Sequence, residues 1–101
     1  MIKVSALYPY TEGGHFDLDY YCQQHMPMVR ALLGDACKGL QVEAGLTTAG
    51  GPSPYIAAGH LFFNSLTDFQ QAFAVHGAAI RADVCNYTDI PYVVQISEIK
   101  L

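Results

Sequence analysis

The apolar and polar positions of the chain follow two different periods, which predict strands separated by helices. Residues 2–9 begin with strand-like alternation and end at Pro9, a residue that favours the end of a strand. Residues 38–47 alternate in the same way. Residues 55–63 are apolar on both faces, as in a strand that is covered on both sides. Residues 92–99 predict a fourth strand.

Two segments between these strands have the period of helices. Residues 16–33 predict the first helix, with Asp17 as its N-cap and Gly34 after its last residue. Phe16 can pack on Tyr21 as a hydrophobic staple at the start of this helix. The second helix starts near residue 65, and these positions recur on one stripe along it: Leu66, Phe69, Phe73, His76 and Ile80.

The order of these elements predicts an α+β, ferredoxin-like βαββαβ fold, in which a four-stranded antiparallel sheet carries two helices on one face. A chain of 101 residues has the size of one domain, so we expect a single domain over residues 1–101. The predicted strands show little consistently polar face, and each exposed Val or Leu forfeits about 1.5–3 kcal/mol of burial. We therefore expect a homodimer that pairs sheet against sheet, a dimeric α+β barrel.

Composition narrows the classes of function. Hydrophobic residues make up 51% of the chain and charged residues 14%, which argues against disorder. The net charge is -4 and the chain has no basic run, so we expect no binding to nucleic acid or to an anionic membrane. No segment resembles a signal peptide or a membrane span, which predicts a soluble, cytoplasmic protein. Cys22, Cys37 and Cys85 lack CxxC spacing, which argues against disulfides and thiolate metal sites.

His25 is the strongest candidate for chemistry. On a helical wheel it lies near the middle of an apolar stripe, which directs its imidazole towards the core or a pocket. The other members of this stripe are Leu18, Tyr21, Cys22, Met28, Val29, Leu32 and Leu33. Pro27 lies on the opposite side, where its ring removes the hydrogen bond to the carbonyl of residue 23 and predicts a kink beside His25.

Two interpretations of His25 stay open at this point. In the first, it is a core histidine bonded to a backbone carbonyl. In the second, it faces a functional pocket, where burial lowers its pKa and leaves a neutral ring that acts as a base or accepts a hydrogen bond. Tyr21, one turn earlier, is a candidate partner for the ring and a second candidate catalytic residue.

Four further residues are candidates for binding a ligand. His76 lies on the apolar stripe of the second helix, and His60 lies in the third strand on a face that the pattern does not assign. Residues 83–91 either rim a cavity, with Asn86, or form a loop that satisfies its own backbone. Seven tyrosines, among them Tyr8, suit a pocket for flat organic molecules as well as a core. No spacing motif supports a metal site, so neither a metal nor a cofactor is expected.

The chain resembles the EthD family, small dimeric α+β-barrel proteins named after a component of ethyl tert-butyl ether degradation. The resemblance covers nearly the full length and rests on four segments: VSALYP, FDLDYYCQQHMPMV, GHLFFNS and NYTDIPYVVQIS. The second of these contains the pattern Tyr-x3-His-x-Pro at Tyr21, His25 and Pro27. The resemblance implies a ferredoxin-like monomer that pairs through its sheet, with His25 as the base of a pocket and Tyr21 beside it.

The resemblance leaves the reaction open. The wider superfamily includes cofactor-free monooxygenases, aromatic polyketide cyclases, lactone isomerases and haem-degrading enzymes, and a fold does not choose among them. The first expectation is a cofactor-free oxidoreductase, isomerase or cyclase that acts on a small apolar or aromatic oxygenated compound, with His25 as acid or base. The second is a non-catalytic protein that binds or delivers such a compound in a degradation pathway. The third is haem binding through an axial histidine.

Overall fold

Four strands build the sheet in the computed structural model, which describes residues 1–101. They are β1 (Ile2–Pro9), β2 (Gly39–Ala44), β3 (Tyr55–Phe63) and β4 (Val93–Glu98). The bounds of β1 and β3 agree with the prediction from the sequence, whereas β2 and β4 are shorter at both ends. After β2 the chain enters a loop in which the backbones of Thr48 and Gly51 bond to each other at 2.9 and 3.0 Å.

The helices lie between the strands at the predicted places. Residues 18–33 are continuously helical and consist of α1 (Leu18–Tyr20), a π-helical turn (Tyr21–His25) and α2 (Met26–Leu33). The second helix is α3 (Leu66–Ala82), and short 3-10 turns at Gly34–Ala36 and Val84–Asn86 follow α2 and α3. None of these helices combines the length and the apolar character that a bilayer crossing requires.

The predicted signals at the helix ends are present. The side chain of Asp17 accepts a first-turn N–H at 3.0 Å, and that of Ser65 does the same for α3 at 3.1 Å. Gly34 ends α2 with a φ of 56°, in the left-handed region that favours glycine. The rings of Phe16 and Tyr21 pack with their centroids 5.2 Å apart, which confirms the staple.

The first helix contains a π-helical turn at the place where the sequence predicts a kink. The N–H of Met26 donates to the carbonyl of Tyr21, five positions earlier, and Pro27 follows with no N–H to donate. A π turn takes more residues than an α turn, so the positions around it do not keep the phase of a regular helix. Two members of the predicted inward stripe are therefore exposed, and the prediction is wrong for them: Leu18 and Cys22.

The sheet has the strand order β2-β3-β1-β4, and all neighbouring strands are antiparallel. This order, with the helices on one face, is the ferredoxin-like α+β fold that the sequence predicts. Val4 pairs with Leu61 on the face beneath the helices, where the hydrophobic core lies. Since side chains alternate along a strand, the neighbouring pair of Ser5 and His60 lies on the opposite face, which we call the open face.

The open face is mixed in polarity. Its polar residues are Lys3, Ser5, Gln41, Glu43, His60, Gln95 and Ser97, and its apolar residues are Leu7, Ile56, Ala58, Phe62 and Val93. This side of the sheet is thus not consistently polar, as expected, but it carries more polar side chains than the sequence pattern indicates. The sequence pattern misses this because β3 is apolar on both faces, while its neighbours place polar side chains beside it. The homodimer remains a prediction.

Candidate functional site

A cavity of about 230 Å³ lies between the helices and the sheet. Of its 17 lining residues 14 are hydrophobic, so a ligand that enters it loses most of its contact with water. The volume lies below the range of about 300–1,000 Å³ typical of small-molecule sites, which suits a molecule with a single ring. Few side chains with polar groups reach its wall, and they are Tyr8, Tyr21, His25, Arg81, Tyr87 and Tyr92.

His25 is held in the cavity wall by Asp83. Nδ1 of His25 lies 2.9 Å from Oδ2 of Asp83, while Oδ1 of Asp83 accepts the Tyr20 hydroxyl at 2.8 Å and the Asn86 amide at 2.9 Å. Because an ionised carboxylate only accepts hydrogen bonds, Nδ1 carries the proton and Nε2 keeps its lone pair. Nε2 has no protein partner, and since no fully buried side-chain N or O atom lacks one, Nε2 is accessible, on a residue that lines the cavity.

The surroundings of the pair set its protonation. Burial lowers the pKa of His25 below its ordinary value of 6.5, although the hydrogen bond and the charge of Asp83 act in the opposite direction. Burial alone would raise the pKa of Asp83, but the hydrogen bonds from Asn86, His25 and Tyr20 outweigh it and hold that pKa below 3.8. At neutral pH the site therefore holds a neutral imidazole beside a carboxylate, the state that a general base requires.

Tyrosine rings surround the imidazole. Tyr21 stacks on His25 with ring centroids 5.4 Å apart, so it is a packing neighbour of His25, and the hydrogen-bond partner is Asp83. Tyr87 packs on the same ring at 4.6 Å, and its hydroxyl lies 2.7 Å from that of Tyr8, a predicted ligand-binding residue on the cavity wall. Burial raises the pKa of all three tyrosines, which keeps their hydroxyls protonated. One hydroxyl of the Tyr8–Tyr87 pair donates to the other, so one proton of this pair and the proton of Tyr21 are left to donate to an oxygen atom of a ligand.

Gly59 makes room for Tyr21 on the core face of β3, where an added Cβ would collide with the Tyr21 hydroxyl. We expect Gly59→Ala to displace this tyrosine and to lower the free energy of unfolding by about 1–3 kcal/mol through overpacking. Chemical denaturation measures the change. Gly50→Ala is the matched control, since a Cβ there meets nothing closer than 3.7 Å. Equal unfolding midpoints for the two variants would contradict the prediction.

The two other histidines of the prediction lie away from the cavity. His60 is on the open face, where Nδ1 lies 2.7 Å from Oγ of Ser5 and Nε2 lies 2.5 Å from Oε1 of Glu43. His76 is half-buried on α3 and lines a separate depression together with Asp35. The sheet separates His60 from the cavity, so the three histidines do not converge on one site.

The structure also brings residues into the candidate site that the sequence does not single out. Asp83 and Tyr87 belong to the polar segment that was expected to rim a cavity, and that segment was the only signal for Asp83. The segment's predicted ligand-binding residue, Asn86, is exposed and positions the carboxylate of Asp83. Tyr20 falls on the exposed side of the predicted helix, yet its hydroxyl reaches Asp83.

Comparisons with known proteins identify the family of this chain. The model of the EthD domain matches residues 16–91. The chain belongs to the EthD family. An EthD-like protein from Ralstonia eutropha JMP134 is 48% identical, with 99% of this chain and 92% of that chain covered and a TM-score of 0.94. An EthD family protein from Bacillus halodurans C-125 is 21% identical, with 99% of both chains covered and a TM-score of 0.78.

Solved structures with low sequence identity share the fold of this EthD-family chain. An antibiotic biosynthesis monooxygenase superposes with a TM-score of 0.52 at 12% identity, covering 100% of both chains, and this likeness concerns the fold alone. Among curated proteins, none matches the chain. Both His25 and Asp83 lie within the residues that the family model matches.

Proposed function

We propose that this EthD-family protein is a cofactor-free acid–base enzyme that acts on a small apolar or aromatic oxygenated compound. One observation carries the proposal: Nδ1 of His25 is bonded to Asp83, while Nε2 is accessible, on a residue that lines an apolar cavity. A histidine that only fills a core has both ring nitrogens bonded within the protein, because an unpaired buried nitrogen is costly. The open nitrogen therefore favours the pocket interpretation of His25 over the structural one.

The proposed reaction is a proton transfer. Nε2 of His25 removes a proton from a carbon next to a carbonyl group, and the electron pair of that C–H bond moves towards the carbonyl oxygen. Asp83 stabilises the imidazolium that forms, and a protonated tyrosine hydroxyl donates a hydrogen bond to the oxyanion. When the substrate has a double bond between its β- and γ-carbons, return of the proton to the γ-carbon moves the double bond next to the carbonyl and isomerises the substrate. Every protein group in this sequence comes from the chain itself, so isomerisation is the reaction class that we propose.

Hydrogen exchange with solvent tests this proposal. The protein is incubated in D₂O with a panel of one-ring ketones and lactones, and C–H to C–D exchange next to the carbonyl is followed by NMR. We expect saturable, protein-dependent exchange for at least one member of the panel. Saturable binding without exchange would instead support the second candidate, a ligand-binding or accessory protein of a degradation pathway. If no member of the panel binds to the protein and none exchanges its protons, the proposal is overturned.

The second candidate also has support in the structure. The cavity lining is largely hydrophobic, which suits the sequestration of an apolar compound whether or not a reaction follows. The third expectation, haem binding, does not fit the same cavity. A haem macrocycle needs more space than this cavity of about 230 Å³ provides.

We further propose that two copies of the chain pair through the open face. Val93 lies on this face in the edge strand β4 and is 52% exposed, and a second subunit would cover it. We expect Val93→Lys to convert a dimer into a monomer, because the pairing would bury an unpaired ammonium group. Multi-angle light scattering measures the mass. Val75→Lys, at a 73% exposed position on α3, is the control and should leave the mass unchanged. A wild-type protein with the mass of one chain would refute the pairing.

A further inference from the structure

We infer that the molecule bound in the cavity carries a carboxylate group, and that Arg81 binds it. This inference rests on the proposed function and narrows it, because it gives the chemical class of the ligand of the same cavity. The ligand is then a small acid with one apolar ring. Its ring lies in the cavity and its carboxylate lies at the mouth.

The charges around the cavity favour an anion. Arg81 is the only Lys or Arg on the cavity wall, and neither Asp nor Glu lines it. Its guanidinium forms no ion pair within the chain, although acidic residues outnumber basic ones by nine to five. Asp83 is bonded to His25 and is not part of the cavity lining. The positive charge of Arg81 is therefore available to a ligand.

Arg81 lies at the mouth of the cavity. It is exposed, and it lines both the cavity and a more open outer depression beside it. The outer depression also contains Asp89, whose Oδ1 accepts the backbone N–H of His15 at 2.8 Å and makes no ion pair with Arg81. A carboxylate at this position would keep partial contact with water while the apolar body of the ligand is desolvated.

Gly77 holds the guanidinium of Arg81 in this position. Gly77 is buried, and it follows Phe69 and Phe73 at four-residue steps on the stripe of α3 that faces the cavity. A Cβ built on Gly77 would lie 2.9 Å from Nη1 of Arg81 and 3.2 Å from Nη2 of Arg81. The arginine side chain therefore folds back along α3 and packs against a backbone that has no side chain in the way. Packing of this kind presents the planar guanidinium to a carboxylate with little loss of side-chain freedom.

The test compares benzoate with benzamide, two one-ring probes of nearly equal shape that differ in charge. Dissociation constants are measured by NMR titration for the wild type, for Arg81→Gln and for the control Arg30→Gln, which alters an exposed arginine outside the cavity wall. We expect the wild type and the control to bind benzoate about tenfold more tightly than benzamide, the size of one charge-assisted hydrogen bond. We expect Arg81→Gln to bind both probes equally, with the affinity for benzamide unchanged.

A second variant separates the position of the guanidinium from its charge. Gly77→Ala keeps Arg81 but pushes the tip of its flexible side chain aside, so the preference for benzoate should fall several-fold while the helix stays folded. Equal binding of both probes by the wild type, or a full preference in Arg81→Gln, would overturn the inference and leave the proposed function intact. If neither probe binds, the inference is overturned, and so is the proposal that the cavity is a site for one-ring ligands.

Discussion

Replacing His25 with asparagine is expected to lower the rate of carbon–hydrogen exchange by about 10²–10⁴-fold, the contribution of a positioned general base. The amide nitrogen of asparagine can take the place of Nδ1 and still donate to Asp83, whose hydrogen bonds are then kept. The variant has no basic nitrogen in the position of Nε2. We therefore expect a folded protein that binds its ligand but exchanges the ligand's protons much more slowly than the wild type. NMR measures the exchange rate, and the thermal unfolding midpoint shows that the variant is folded.

His76→Asn is the matched control for this experiment. His76 is half-buried on α3 and lines a depression that does not contain His25. The same chemical change at this position should leave the exchange rate at the wild-type level. If exchange continues at the wild-type rate in the His25 variant, the base is another group and the proposed reaction is refuted.

The fold is predictable from the sequence because its signals are local. Alternation over residues 2–9 and the apolar run over residues 55–63 give two strands with correct bounds, and capping residues give the starts of both helices. The π-helical turn is different, because its hydrogen bond joins positions five apart and leaves no distinct periodic pattern. That turn explains why the helical wheel finds His25 inward but misplaces Cys22.

The candidate site is only half predictable, and the reason is distance along the chain. The apolar stripe points to His25 because the stripe lies within one helix. Its partner Asp83 is 58 residues away and meets it only because the end of α3 packs beside the π-helical turn. Polarity in a loop does not show which of its side chains turns inwards, so the sequence offers Asn86 where the structure assigns Asp83.

Replacing Asp83 with asparagine is the second change with a large expected effect. The variant removes the negative charge beside His25 and offers an amide N–H to Nδ1, which moves the imidazole proton to Nε2 and blocks the base. We expect the exchange rate to fall by about 10²–10⁴-fold, while the apolar cavity keeps its shape. Nitrogen chemical shifts of the imidazole report the change of tautomer directly, independently of any substrate.

The dependence of the exchange rate on pH distinguishes an orienting role of Asp83 from a purely structural role. In the wild type the rate should rise with pH through the pKa of His25, which burial holds below 6.5, and then level off. Asp83 acts to raise the pKa of His25, so removal of this carboxylate leaves the effect of burial unopposed. The rise of the exchange rate should therefore occur at lower pH in Asp83→Asn than in the wild type. Asp35→Asn, which alters an exposed carboxylate outside the cavity wall, should leave the profile unchanged. A rise at the same pH in Asp83→Asn as in the wild type would show that Asp83 does not act on the imidazole.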